Sequence, residues 1–243
     1  MKLTILGNNG PFPSAGGACS GYLVRSGSAN ILVDCGNGTL ANLQKVIGIG
    51  ELDAVILTHL HSDHTSDLHV LRYAVQIKRM RGQFDRLINV YAPSEPAEEY
   101  ARFDAGDAFV LEAIEPGRTL LIGDVEISFG QMKHPYLNYA VKMKCEGRIF
   151  VYSGDTSWTE NLVEFAKGAD LLMLDAGLLE KDYTENAAHL TAGQCGLAAS
   201  EAGAGKLLLT HLWPEYDLSD IVEEARRNFE NAETTRILQE YEV

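Results

Sequence analysis

Leu57-Thr58-His59-Leu60-His61-Ser62-Asp63-His64-Thr65 is the stretch that decides how this chain is read. The apolar run before it predicts a buried strand over Ala54–Thr58, so His59 onward sits where that strand ends. In extended backbone, side chains alternate with period two, and His59 and His61 therefore point to one side. Asp63 and His64 follow at once, where the chain must turn into a helix. Two imidazoles can hold one divalent ion while a carboxylate and a third imidazole hold another beside it. Nitrogen and carboxylate donors suit zinc, and manganese or iron accept the same set. A lone histidine is usually an ordinary core or surface residue. Three histidines and an aspartate within six positions are costly to cluster at a strand end without a metal.

The remaining histidines extend the site. The chain has seven, at positions 59, 61, 64, 69, 134, 189 and 211. His134 closes Gln131-Met132-Lys133-His134 and His211 closes Leu208-Leu209-Thr210-His211, each on the carboxyl side of a predicted strand. Asp155 sits in Tyr152-Ser153-Gly154-Asp155-Thr156, again directly after a strand. Function in α/β sheets gathers at the carboxyl ends of strands, so distant residues presented there can complete a two-metal site. His69 lies on the helix face after the metal loop and reads as a surface histidine.

Short apolar runs predict strands at Lys2–Leu6, Tyr22–Arg25, Asn30–Asp34, Ala54–Thr58 and Leu87–Tyr91. Others are predicted at Val125–Phe129, Tyr139–Met143, Ile149–Tyr152, Leu171–Leu174 and Leu207–Thr210. Helical periodicity covers Leu40–Ile47, Leu68–Met80, Ala97–Phe103, Thr159–Ala166, Ala192–Ala202 and Leu218–Ala232. Early strands follow one another directly and later ones alternate with helices, which suits a layered α/β sandwich better than a doubly wound sheet. No linker or low-complexity stretch divides the sequence, and one domain over residues 1–243 is expected.

The order His-x-His-x-Asp-His, then His, then Gly-Asp-Thr, then Thr-His resembles the metallo-β-lactamase superfamily over nearly the whole chain. The resemblance implies a four-layer αβ/βα sandwich with a two-metal site at the sheet edge. By position it gives His59, His61 and His134 to the first metal, and Asp63, His64 and His211 to the second. Asp155 bridges both. Asp34, in Val33-Asp34-Cys35-Gly36, matches a carboxylate that orients the ligand loop from behind the ligands. Two divalent ions, most simply zinc, would acidify a shared water and clamp the oxygens under attack. Asp63 can orient the resulting hydroxide and take its proton.

A leaving alkoxide also needs an acid. His189 lies in Ala188-His189-Leu190-Thr191, just before a helix that Thr191 can cap. Read alone it would be an ordinary histidine. The segment His189-Leu190-Thr191-Ala192 resembles a histidine motif of the ribonuclease Z branch, which implies general acid catalysis or stabilisation of phosphate charge. The loop from Gly7 to Gly17, stiffened by Pro11 and Pro13, resembles the N-terminal loop that borders the active site in that branch, and ends in no P-loop Gly-Lys-Ser/Thr.

Three features depart from transfer RNA 3′-endonucleases. The stretch from His134 to Asp155 is too short for the basic arm that grips transfer RNA. His211 is followed by Leu212-Trp213-Pro214-Glu215-Tyr216, without the serine and arginine expected there. The net charge of −14, from 34 acidic and 20 basic side chains, repels a long phosphate backbone. The expectation is an arm-less ribonuclease Z relative that cleaves a small anionic phosphodiester, with extended nucleic acid disfavoured and a homodimer in keeping with relatives. Alternatives are a transfer RNA 3′-processing endonuclease, a glyoxalase- or lactonase-type hydrolase, and a non-catalytic, metal-stabilised binding protein.

Further readings are plainer. Gly36-Asn37-Gly38-Thr39-Leu40-Ala41 has the spacing of a dinucleotide fingerprint, but the strand after it bears the metal ligands, so the glycines serve a tight turn beside Asp34. Arg72, Lys78, Arg79, Arg81 and Arg86 form either a solvated helix face or a positive rim to the site. Apolar residues make up 46% of the chain and charged ones 22%, an ordinary globular balance. No run approaches the ~20 apolar residues of a membrane span. Four scattered cysteines (Cys19, Cys35, Cys145, Cys195) and no signal peptide fit reduced thiols in a cytoplasmic protein.

Overall fold

A computed structural model describes residues 1–243. Its fourteen strands form two sheets of seven. The first contains β1 (Lys2–Gly7), β2 (Gly21–Arg25), β3 (Asn30–Val33), β4 (Ala54–Ile56), β5 (Ile88–Ala92), β6 (Phe109–Ala113) and β14 (Glu240–Glu242), in the order β14-β1-β2-β3-β4-β5-β6. The second contains β7 (Thr119–Ile122), β8 (Val125–Met132), β9 (Asn138–Cys145), β10 (Arg148–Tyr152), β11 (Leu171–Asp175), β12 (Lys206–Thr210) and β13 (Ala232–Thr234), in the order β13-β12-β11-β10-β9-β8-β7. Helices α1 (Thr39–Leu43), α2 (Ser62–Met80) and α3 (Ala97–Ala101) follow strands of the first sheet, and α4 (Glu160–Ala166), α5 (Ala192–Ala202) and α6 (Leu218–Arg226) those of the second.

Alternation along the strands explains the layers. Ala54 and Ile56 of β4 face a core shared with the second sheet, where they join Val141, Phe150, Tyr152 and Met173. Val55, between them, faces the opposite way, toward Leu43, Leu68, Leu71 and Val75 of the helices. In the second sheet Val151, Leu172, Leu174 and Leu209 meet Leu162, Cys195, Ala199 and Ile221. Each central strand is therefore apolar on both faces, as strands buried between layers must be. The result is helix, sheet, sheet, helix: the αβ/βα sandwich.

The two sheets share a plan. The first pairs β1, β2 and β3 antiparallel and then runs β3, β4, β5 and β6 parallel. The second pairs β7 to β10 antiparallel and then runs β10 to β13 parallel. Parallel strands deliver their carboxyl ends to one edge, and that edge carries the site.

The structure differs from the sequence reading at several element limits, and α1, for one, ends at Leu43 rather than Ile47. Four strands go unpredicted, β6, β7, β13 and β14, and each is the outermost strand of its sheet. Edge strands are buried on fewer sides and carry residues such as Glu112, Thr119, Glu233 and Glu240, so no apolar run marks them. Helix α6 also stops at Arg226, short of the predicted Ala232. Asn228 and Asn231 end it, because their side-chain amides donate to the carbonyls of Gly193 and Gly205 and turn the chain into β13.

Phe150 is fully buried between the sheets. Truncation in Phe150→Ala is expected to cost about 3–5 kcal/mol of stability in urea unfolding. A loss below about 1 kcal/mol would mean that the sheets are not packed through this ring.

Candidate metal centre

Strand ends place the functional side chains. Asp34 follows β3 directly, Asp175 is the last residue of β11, and His211 follows β12. His59 and Asp155 each lie three residues past β4 and β10, and His134 two residues past β8. Sharp turns aim them inward: Asp34 and His211 adopt φ of +55° and +54°, and Gly154, beside Asp155, +59°. A Cβ on Gly154 would lie 2.4 Å from Asn138 Oδ1. That same Asn138 amide donates to the carbonyls of Ser153 and Asp155 at 3.1 and 2.7 Å, fixing the loop. Helix α2 starts at Ser62, six residues before the predicted Leu68, and so Asp63 and His64 occupy its first turn.

Two clusters result. In the first, His61 Nδ1 lies 3.0 Å from His59 Nε2 and 3.2 Å from His134 Nε2, while Asp155 Oδ2 is 3.6 Å from His59 Nε2. In the second, His211 Nε2 lies 3.1 Å from Asp63 Oδ2 and 3.3 Å from Asp155 Oδ2. There His64 Nε2 is 3.3 Å from Asp155 Oδ1 and 3.5 Å from Asp63 Oδ2. Tetrahedral zinc with ligands at about 2.0–2.1 Å has edges of about 3.3–3.4 Å between donor atoms. Both clusters match that spacing. Each could hold one ion, with Asp155 offering an oxygen to either.

Two polar atoms reinforce the fit. His64 Nε2 and Asp155 Oδ1 are buried and make no hydrogen bond within the protein. Such atoms are rare in native structures and call for a partner such as a metal.

Partners behind the ligands fix which nitrogen faces the cluster. Asp34 accepts from the Thr58 amide at 2.8 Å, from the Thr58 hydroxyl at 3.0 and 3.1 Å and from the Tyr152 hydroxyl at 3.3 Å, and it lies 2.8 Å from His64 Nδ1. His64 is thereby held with Nε2 inward. The Ala188 carbonyl lies 3.2 Å from His134 Nδ1 and does the same for that ring. His189 Nδ1 bonds to Asp175 Oδ2 at 2.8 Å, and this leaves its Nε2 free. Asp175 Oδ1 also lies 3.4 Å from His211 Nδ1, so one buried carboxylate stands behind two histidines.

Charge agrees with geometry. Burial, helped by the neighbouring His64 and His134 rings, pushes the His59 imidazole well below its usual range. Burial and His134 lower His61 to about 4. Both rings are thus neutral, as ligands must be. Burial also opposes the charged form of His64 and His211, yet Asp155 with Asp34 and Asp63 raises the first, and Asp155, Asp175 and Asp63 raise the second to about 10. Without a metal, protons gather where carboxylates concentrate. A cation would take their place.

Six of the seven histidines thus meet at one edge, and His69 is exposed, stacked on Phe103 at 5.0 Å. The N-terminal loop borders the site as expected: a Cβ on Gly10 would fall 2.0 Å from the His211 ring, and Phe12 packs edge-on to Trp213 at 5.3 Å. Gly36 serves the turn, since a Cβ there would meet the Asp63 carbonyl at 1.9 Å. The positive rim does not form. Arg79 lies about 25 Å along α2 from Asp63 and caps the Asp107 carbonyl, Arg72 caps that of Arg102, and Arg86 pairs with Asp53. Asp175 is the functional residue that sequence reading missed. Its signal was the apolar run Leu171–Leu174 closing on a carboxylate, as Ile31–Val33 closes on Asp34.

An αβ/βα sandwich with clustered imidazoles and carboxylates at its strand edge defines a metal-dependent hydrolase. The chain belongs to the beta-lactamase superfamily, whose domain model matches residues 29–212. It is 33% identical over 233 residues to the probable metallo-hydrolase YhfI of Bacillus subtilis, covering 96% of this chain and 95% of that protein. The crystal structure of YhfI superposes with a TM-score of 0.96 over 100% of this chain and 99% of that one. Ribonuclease Z of Archaeoglobus fulgidus is 29% identical over 291 residues, covering 95% of this chain and 94% of its own length.

Substituting Asp34→Asn keeps the left-handed backbone, which asparagine tolerates, but turns an amide toward His64 Nδ1 and favours the tautomer with Nε2 protonated. Zinc affinity, titrated against a chromogenic chelator, is expected to fall about 10–100-fold. Unchanged affinity would remove Asp34 from the metal centre.

Proposed function

We propose that the protein, as one hydrolase domain over residues 1–243, is a two-metal phosphodiesterase that cleaves a small or short phosphodiester. The observation that carries this reading is His189: a histidine held by a buried carboxylate through Nδ1, half-buried beside both clusters, with Nε2 free. A metal-ligand set alone would serve any hydrolase of this fold. An added imidazole poised as a proton donor suits the expulsion of an alkoxide from phosphorus.

The residues would divide the work as follows. His59, His61 and His134 would hold one ion and Asp63, His64 and His211 the other, with Asp155 within reach of both. Their buried carboxylates support a count of two: Asp34, Asp63, Asp155 and Asp175 have histidines but no lysine or arginine as ion-pair partners, and two divalent ions offset four negative charges. Zinc suits the donors. When bound, such ions acidify water and neutralise phosphoryl oxygens. Asp63, with one edge exposed, orients the attacking water and takes its proton as the new bond to phosphorus forms. His189 Nε2 gives a proton to the leaving oxygen as the old bond breaks, and Asp175 steadies the imidazole throughout.

Substrate size follows from the space beside His134, a cavity of about 310 Å³ lined by residues including Lys133, Ser157 and Asn186. That is at the small end for ligand sites. Four free, buried cysteines fit a cytoplasmic setting. Similarity to the archaeal ribonuclease Z favours a second reading, transfer RNA 3′-processing. Between β8 and Asp155, however, this chain builds only the β9–β10 hairpin, turning at Glu146-Gly147, with no arm to grip transfer RNA.

Metal-loaded protein is expected to hydrolyse bis(p-nitrophenyl) phosphate in preference to a β-lactam or S-lactoylglutathione, and to leave precursor transfer RNA intact. In His189→Ala, with metal content retained, kcat on a diester whose leaving group is an alkoxide, such as thymidine 5′-(methyl phosphate), is expected to fall by about 10²–10⁴. A full rate in that variant, or turnover of the thioester or lactam alone, would overturn the reading.

A further inference from the structure

A cavity larger than the one beside His134 opens elsewhere on the molecule. It lies along the exposed face of α6, encloses about 670 Å³, and is walled by Leu218, Val222 and Arg226 on the helix and by Arg227, Thr234 and Arg236 after it. Three guanidinium groups share this wall with a single carboxylate, Glu223. In a chain of net charge −14 such a concentration is unusual. Arg227 pairs with Glu180 at 3.3 Å, and Arg226 Nε donates to the Ala232 carbonyl at 2.9 Å. The Arg236 side chain is exposed and makes no hydrogen bond or ion pair within the protein.

Two observations connect this wall to the metal edge. A second cavity, of about 270 Å³, shares Leu218 and Arg236 with the first and is also lined by Asn9, Leu212 and Trp213. Leu212 and Trp213 are the two residues after His211, and Asn9 Nδ2 donates to the Leu212 carbonyl at 3.3 Å. Strand register makes the second link. Leu209 of β12 pairs with Thr234 of β13, and the Thr235 amide continues the ladder to the Leu209 carbonyl. His211 lies two residues past Leu209 and Arg236 two residues past Thr234, so both stand at the same level of the sheet edge.

We propose that Arg236, with Arg226 beside it, binds a second negative group of the substrate, reached from the metal edge along the groove past Trp213 and Leu218. The substrate class is a phosphodiester that carries a further phosphate on an apolar or aromatic body, such as a nucleoside with phosphates at both ends. The inference rests on the phosphodiesterase reading. Arginine suits the task because its planar fork binds phosphate oxygens bidentately, and Arg236 has no competing partner to surrender. Trp213 and Leu218 offer apolar surface between the two anion sites.

Two p-nitrophenyl diesters test it: thymidine 5′-(p-nitrophenyl phosphate) and the same compound phosphorylated at the 3′ oxygen. Metal-loaded protein is expected to favour the 3′-phosphorylated diester in kcat/KM by on the order of tenfold or more, the worth of a hydrogen-bonded charged pair. Arg236→Ala is expected to collapse that ratio toward one, Arg236→Lys to keep part of it, and Arg81→Ala, which removes the same charge at the far end of α2, to leave it as in the parent. Equal use of both diesters by the parent protein, or a preference that survives Arg236→Ala, would overturn the proposal. Cleavage of neither diester would instead remove the phosphodiesterase reading. Calorimetry then decides the anion site alone: about tenfold tighter binding of thymidine 3′,5′-bisphosphate than of thymidine 5′-phosphate, lost in Arg236→Ala, sustains it, and equal binding ends it.

Discussion

Four carboxylates converge where two sheets open, and none of them has a lysine or arginine for company. Asp34, Asp155 and Asp175 are fully buried and Asp63 nearly so. A buried, unpaired carboxylate is among the most expensive groups a fold can hold. Histidines surround these four, but protonating enough of them would spoil them as ligands, since only a neutral imidazole nitrogen binds a metal. Positive charge from outside the chain resolves the conflict. The rest of the architecture serves to bring those groups to one edge and to hold them in place until that charge arrives.

The two halves of the molecule solve this problem in parallel. In the first, Asp34 directly follows β3, bonds His64 and ties down Thr58 just past the neighbouring strand. In the second, β11 ends on Asp175, which bonds His189 and stands behind His211 at the end of its neighbour. Each half thus uses a buried aspartate at a strand end to aim histidines. One difference bears on the proposed chemistry: Asp34 serves a histidine turned wholly inward, whereas Asp175 also serves His189, whose outer nitrogen stays free. The second arrangement is the one the phosphodiesterase reading uses as its proton donor.

Much of this was legible in the sequence because ligand clusters are local and strand cores are apolar. The run from Thr58 to His64 announced the centre, and the central strands announced the layers. Three things were hidden. The edge strands β6, β7, β13 and β14 carry no continuous apolar run, so only pairing with a neighbour reveals them. Asp175 stands just past the predicted strand Leu171–Leu174 like any polar strand end, since nothing local shows that the fold will set His189 and His211 against it. The cations of α2 looked close to the site in sequence, yet a straight helix carried Arg79 and Arg81 away from it. Conversely, Arg236 is remote in sequence from every ligand, and only the β12–β13 register brings it level with His211.

Anomalous diffraction from crystals of the zinc-loaded protein tests the central claim most directly. The account predicts two peaks, one among His59, His61 and His134 and one among Asp63, His64 and His211, with Asp155 touching both. A single peak, or zinc bound away from this edge, would contradict it.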